Sequence, residues 1–297
     1  MTLTRRCLIA AVAGAGVGQW QIARGQNDRL RIERHGDPQH PAVALYLPGA
    51  AVPASVIEMP EHAWRKQKPS DEPVWFYKMY SSDPKFQGVV TWSETLNSLS
   101  YAMTTPAGFT MQSQAILQED GVEIRHEITG PFGGDTAVVE APTCVKLYRP
   151  FTDVFLERTY VHHAAGLELI ASETPERLTK NAEEWLPCRY IVNCGPSGRP
   201  PDKRIERVDG VTRYFKSRLA DAAFLATESQ PFGWVAATHG LNCPSLFTNP
   251  ARTCHHADPE VQVKGDRAVL NLKVYVIRGS VLDAWQRVAP RDRAGLV

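Results

Sequence analysis

The chain has 297 residues, 43% of them hydrophobic and 22% charged, which suits one large folded domain or two ordinary ones and excludes a disordered polymer. Its 33 basic and 32 acidic residues are interspersed and sum to a net charge of +1. No basic face for nucleic acid is present, so a polyanion partner is excluded on charge.

The amino terminus, MTLTRRCLIAAVAGAGVGQW, places Arg5-Arg6 before an apolar stretch from Cys7 to Val17 that is too short to span a bilayer as a helix. It resembles the bacterial twin-arginine export signal, although Cys7 follows the arginine pair where an aromatic is preferred further on. The resemblance implies a signal over residues 1–25 and a periplasmic or secreted chain with no membrane span after its removal. Five cysteines would then remain, Cys144, Cys188, Cys194, Cys243 and Cys254. An oxidising compartment permits up to two bridges among them, with Cys188 and Cys194 nearest in sequence. There is no CxxC, so a zinc ribbon or thioredoxin-like motif is unsupported.

Residues 26 to about 73 are rich in Pro, His and charge and predict an irregular segment with one strand over Ala42 to Leu47. Short strands are then expected at Phe86 to Trp92, Ser98 to Met103 and Phe109 to Leu117. Glu119-Asp120-Gly121 is a hairpin signal, and Val122 to Thr129 alternates cleanly, with Val122, Ile124, His126 and Ile128 on one side. Further strands are expected at Ala137 to Glu140, Val145 to Tyr148, Leu167 to Ala171, Cys188 to Asn193, Val211 to Lys216, Gly233 to Thr238 and Ala268 to Tyr275. Only Ser280 to Val288 carries a helical period. The reading is an all-β chain: a large antiparallel β-sandwich with few short helices, occupying residues 26–297 as one domain.

The unit LQEDGVEIRHEITGPFGGDTAVVEAPTCVKLYRP, together with a closing strand like Leu270 to Ile277, resembles the galactose mutarotase-like β-supersandwich family. It covers about a third of the chain, and the family's usual histidine-plus-aromatic motif is replaced by Val161-His162-His163-Ala164. The resemblance implies a carbohydrate-related function: epimerisation, lyase chemistry or sugar binding on a small-molecule or oligosaccharide ligand.

Candidate chemistry gathers around two histidine doublets. Tyr160-Val161-His162-His163 and RTCHHADP, Arg252 to Pro259, are both flanked by loop-forming residues. If the backbone turns there, His162, His163, His255, His256 and Asp258 contain enough ligands for one divalent transition metal ion. Alternatively the same histidines line a metal-free polar cleft, with His162, His163 and His255 moving protons, or they only cap loops. His126 is expected to be a satisfied core residue. Glu94 and Glu228 sit at strand ends with polar neighbours and are candidates for a general acid or base, against the plainer reading of solvated turn glutamates. Trp75, Trp92, Trp185 and Trp234 are candidate stacking surfaces, and Arg149 and Arg252 candidate substrate orienters. Arg149, Asp153, Glu157 and Arg158 are equally explained as ion pairs within a sheet. No GxSxG, P-loop, GxGxxG or HExxH motif is present. The leading reading is an exported carbohydrate-active or carbohydrate-binding protein. The alternatives are a metal-binding protein or metalloenzyme built on the doublets, and a noncatalytic envelope domain.

Overall fold

A computed structural model describes residues 28–294, apart from 38–39, 69, 135 and 196–198; the export-signal reading falls outside the described residues. Two nine-stranded sheets face each other. The first contains β1 (Arg31–His35), β2 (Ala42–Tyr46), β3 (Ser55–Glu58), β11 (Cys144–Leu147), β20 (Cys254–His256), β19 (Ser245–Asn249), β14 (Cys188–Asn193), β16 (Val211–Phe215) and β15 (Ile205–Val208), in that spatial order. The second runs β13 (Gly166–Leu169), β12 (Thr159–His163), β17 (Phe224–Glu228), β18 (Trp234–Gly240), β22 (Arg267–Arg278), β9 (Gly121–Thr129), β8 (Thr110–Gln118), β7 (Ser98–Thr104) and β6 (Val89–Thr95). A smaller sheet of four strands orders β21 (Glu260–Gln262), β10 (Val138–Glu140), β4 (His62–Lys66) and β5 (Val74–Lys78). The named strand pairings are antiparallel except for β14 with β16. The expected all-β sandwich is therefore the observed one.

The strand period explains how the sheets stack. Val43, Leu45, Ile57, Val145 and Leu147 point inward from the first sheet and pack with Met103, Met111, Val122, Ile124, Leu270 and Val274 of the second in one buried cluster. A second cluster joins Val161 and Leu225 to Tyr190, Val192 and Leu246. The outer side of the second sheet is covered by the helix Val281–Ala294, which seats Val281, Ala284 and Val288 on Phe224, Ala226, Val235 and Ile277. Ser280 and Asp283 bond reciprocally at the start of that helix, each satisfying the other's backbone N–H.

The Asp-Gly hairpin forms as expected between β8 and β9. Gly121 has φ +149, and a Cβ there would lie 2.0 Å from the Val274 carbonyl oxygen, so the turn requires glycine. The region expected to be irregular up to about residue 73 instead supplies β3 and β4. Ser55–Glu58 is buried throughout and hydrogen-bonded on both edges, so burial overrides its mixed polar composition.

His126 is fully buried on β9, with Nδ1 2.8 Å from Ser113 Oγ and Nε2 2.9 Å from Thr143 Oγ1. Burial lowers its pKa from 6.5 to about 4. The unfolded chain therefore binds a proton that the folded chain refuses. Stability is fully present above pH 6.5 and falls as pH drops toward 4, by about 3 kcal/mol from this residue alone. Urea unfolding at a series of pH values should show that decline, and His126→Gln should flatten it.

Candidate functional site

The two doublets lie in strands, contrary to the loop expectation, and alternation splits each pair. On β12, His162 faces outward, stacks on Trp285 at 3.7 Å and holds Asp221 Oδ1 at 2.6 Å. His163 faces inward, and its Nδ1–H donates to the Leu219 carbonyl at 2.7 Å. On β20, His255 is fully buried between the sheets, with Nε2 2.8 Å from Thr227 Oγ1 and Nδ1 3.3 Å from Thr238 Oγ1. Burial pushes its pKa down to about 3, leaving a neutral core imidazole. His256 faces the opposite way, off the outer side of the first sheet. Among the described residues no three-ligand cluster joins the doublets, and the five-residue metal set expected from sequence does not assemble.

What does assemble surrounds His256. Register places Glu58 opposite Cys144, Lys146 opposite Cys254, and Phe247 opposite His256, all on the outer face of the first sheet. His256 Nδ1 lies 3.0 Å from Asp258 Oδ2, while Asp258 Oδ1 accepts the Thr143 N–H at 2.8 Å. The ring stacks on Phe247 with centroids 3.9 Å apart. Burial disfavours its charge, but the Asp258 carboxylate and the Cys254 thiol outweigh burial and raise its pKa well above 6.5. Glu61 Oε2 stands 4.0 Å from His256 Nε2.

Beside it, the Glu58 carboxylate accepts hydrogen bonds from Lys146 and Tyr80, and Lys146 Nζ lies 2.8 Å from the Tyr80 oxygen. The Glu58 and Lys146 side chains are only 5% and 12% exposed. Burial works against the Lys146 ammonium, but Glu58 and Tyr80 hold its pKa above the ordinary value. Tyr80 is pushed up to about 12, by burial first and by its bond to Glu58 second.

The small sheet walls the other side. Pairing puts His62 with Lys78, and Trp64 with Glu140 and Trp75, on one of its faces, while Ala63, Tyr77 and Val139 enter the core. Burial lowers the His62 pKa to about 4, with the charges of Asp258, His256, Lys78 and Arg189 acting on it as well. Glu140 is raised well above the ordinary carboxylate value by burial and then by the Asp258 and Glu260 carboxylates. Asp258 and His256 act on both His62 and Glu140, so these residues of the small sheet and the outer face of the first sheet form one polar cluster, termed the basin below. Trp75 stands edge-on to His62 at 4.9 Å, and Arg189 lies 5.7 Å over the Phe247 ring.

The other residues singled out from sequence lie elsewhere. Glu94 is on the edge strand β6, 3.7 Å from Arg34, which also lies 5.7 Å over Trp92. Glu228 is at the end of β17, where its carbonyl accepts from Arg158. Trp185 is core, with its indole N–H donating to the Val154 carbonyl at 2.7 Å. Arg149 and Arg252 are exposed. Asp153 accepts from the Glu157 and Arg158 backbone N–H groups and the Thr159 hydroxyl, a structural role. All five described cysteines are buried free thiols, so Cys188 and Cys194 are not bridged. Trp234 lines a cavity of 740 Å³ with Asp120, Arg278 and Arg287, away from the His256 basin. Sequence reading missed Glu58, Glu61, His62, Glu140 and Lys146. The usable signal was the period-two series Cys254, His256, Asp258, whose members share a face in an extended strand.

No family model matches the chain, and no curated protein matches it. Solved structures do. The alpha-N-acetylgalactosaminidase NagBb of Bifidobacterium bifidum, in complex with GalNAc, is 10% identical at a TM-score of 0.49, over 90% of this chain and 38% of that one. The Slr1438 protein of Synechocystis sp. PCC 6803 is 10% identical at 0.44, over 85% and 98%. A putative aldose 1-epimerase of Escherichia coli K12 is 10% identical at 0.41, over 84% and 100%. Likeness at this level assigns no function.

The Glu58–Lys146 pair makes a stability prediction. Lys146→Met strands a buried carboxylate and should cost about 3 kcal/mol, whereas Glu58→Leu combined with Lys146→Met should cost less than either single change. Denaturant unfolding of the three variants measures both effects.

Proposed function

We propose that the chain is an exported carbohydrate-active protein that holds a saccharide in the basin between the outer face of the first sheet and the small sheet. One observation supports this above the rest: Glu140 and His62, on the same face, have pKa values driven in opposite directions. That leaves a carboxyl pushed toward its protonated form on the same face as an imidazole pushed toward its neutral form. This is the division of labour that acid–base chemistry at a sugar needs.

In the proposed reaction His62 accepts the proton of a sugar hydroxyl while Glu140 donates to the ring oxygen. The hemiacetal C–O bond then breaks to give the open-chain carbonyl, and reclosure on the other face returns both protons. Trp75 supplies an apolar surface for the pyranose, and Arg189 and Lys78 supply donors for hydroxyls or a uronate carboxylate. The mutarotase-like sequence unit favours isomerase chemistry. Sugar binding without turnover is the second reading, supported by the aromatic and cationic lining alone.

The test is a screen for mutarotation, epimerisation and β-elimination on neutral and uronic sugars, with calorimetric binding in parallel. Glu140→Gln and His62→Ala should each lower kcat by about 100-fold with KM little changed. The acid limb of the rate should rise through pH about 4 as His62 loses its proton. Absence of both turnover and binding for every sugar would remove the reading. Export is tested separately: replacing Arg5-Arg6 by Lys-Lys should hold the chain in the cytoplasm, as judged by cell fractionation.

A further inference from the structure

Three soft or borderline ligands meet on the outer face of the first sheet. Cys144 of β11 and Cys254 and His256 of β20 bring one ligand atom each to within 4.8 Å of one another, and all three side chains are buried. The register produces the meeting: Lys146 is opposite Cys254, so the residues two positions further along, Cys144 and His256, become neighbours on the same face. In a tetrahedral zinc site with Zn–S bonds of 2.3 Å, ligand atoms stand about 3.8 Å apart, so the observed set needs to contract by no more than about 1 Å.

The surroundings of the histidine point the same way. Its Nδ1 is engaged by Asp258 Oδ2 at 3.0 Å, Asp258 is itself fixed by the Thr143 N–H at 2.8 Å, and Phe247 packs against the ring plane. A carboxylate on one imidazole nitrogen, anchored in turn to the backbone, fixes the ring and leaves the other nitrogen as the ligand, which gives up its proton when the metal binds. That is the arrangement that orients histidine ligands in zinc proteins. Nε2 stands 4.0 Å from Glu61 Oε2. Lys146 and Tyr80 both bond Glu58 Oε1, and Glu58 Oε2 is buried without a hydrogen-bond partner, so Glu58 and Glu61, each with an oxygen within 4.8 Å of the Cys144 sulfur, are the carboxylates beside a fourth position.

We propose that Cys144, Cys254 and His256 bind one zinc ion, with the fourth coordination position open toward Glu58, Glu61 and the basin. Two thiolates and one imidazole suit a d¹⁰ ion and disfavour magnesium or calcium, which take oxygen ligands. The proposal is independent of the saccharide reading, because metal binding is measured without sugar.

The full-length mature chain, reduced and freed of metal by chelation, is titrated with zinc against a chromogenic competitor. Cobalt is then substituted and the thiolate-to-metal charge-transfer absorption recorded. One equivalent of zinc and a charge-transfer band of two-thiolate intensity are expected. Cys144→Ser, Cys254→Ser and His256→Gln should each abolish stoichiometric binding. Asp258→Asn should weaken it about 10- to 100-fold while the cobalt band persists, and His162→Ala should leave it unchanged. Failure of the reduced wild-type chain to take up zinc or to give the cobalt band overturns the proposal, whatever the variants do. So does retention of zinc by the Cys144→Ser/Cys254→Ser double variant.

Discussion

The hydrogen-bonded position of β11 between β3 and β20 is the constraint on which the rest of the site depends. Cys144–Leu147 must present Val145 and Leu147 to the core, because the sandwich is held by inward apolar residues from both sheets. Alternation then forces Cys144 and Lys146 outward. The same pairing sends His255 inward to Thr227 and Thr238 and His256 outward to Asp258 and Phe247. One strand register thus fixes which histidine is structural and which is available for chemistry. A slip by one residue would exchange them and bury two charged groups in the core.

Keeping the outward set buried carries an electrostatic cost, and the structure offsets it by pairing. Glu58 is matched by Lys146 and Tyr80, and Asp258 by a backbone N–H and His256. The matching is incomplete: Glu58 Oε2 is buried without a hydrogen-bond partner, and His62 and Glu140 are both pushed by burial toward their neutral forms. Residual titration therefore collects on the wall supplied by the small sheet, facing the paired residues of the first sheet.

The fold was legible in the sequence where alternation was clean. Val122 to Thr129, with its Asp-Gly hairpin, appears as β9 with the expected buried face, and Cys188–Asn193 is a strand with the expected bounds. Legibility failed where strands were short and polar. Ser55–Glu58 and His62–Lys66 lack an apolar period because their outer faces carry the site. The doublets were misread for a related reason: adjacency in sequence suggested a shared site, whereas adjacency in an extended strand guarantees opposite faces. The partners of His256 are Glu61, Cys144, Phe247, Cys254 and Asp258, and only the last two are local. A single sequence contains no signal that pairs Cys144 with Cys254 across a sheet.

The choice between the basin and the 740 Å³ cavity beside Trp234 follows from the state of their polar groups. In the cavity Asp120 is 2.6 Å from Lys273 Nζ and 3.6 Å from Arg287, Gln118 also bonds Lys273, and Arg278 lies 4.9 Å over the Trp234 ring. Lys78 likewise lies 4.7 Å over Trp75 in the basin, so the distinction rests on Asp120, whose pairing an incoming ligand must displace. In the basin Glu58 Oε2 is buried without a hydrogen-bond partner, and Glu140 and His62 are displaced from their ordinary ionisation. Space alone favours the cavity. Unspent hydrogen-bonding and proton-transfer capacity favours the basin, and that capacity is what a ligand or metal recognises.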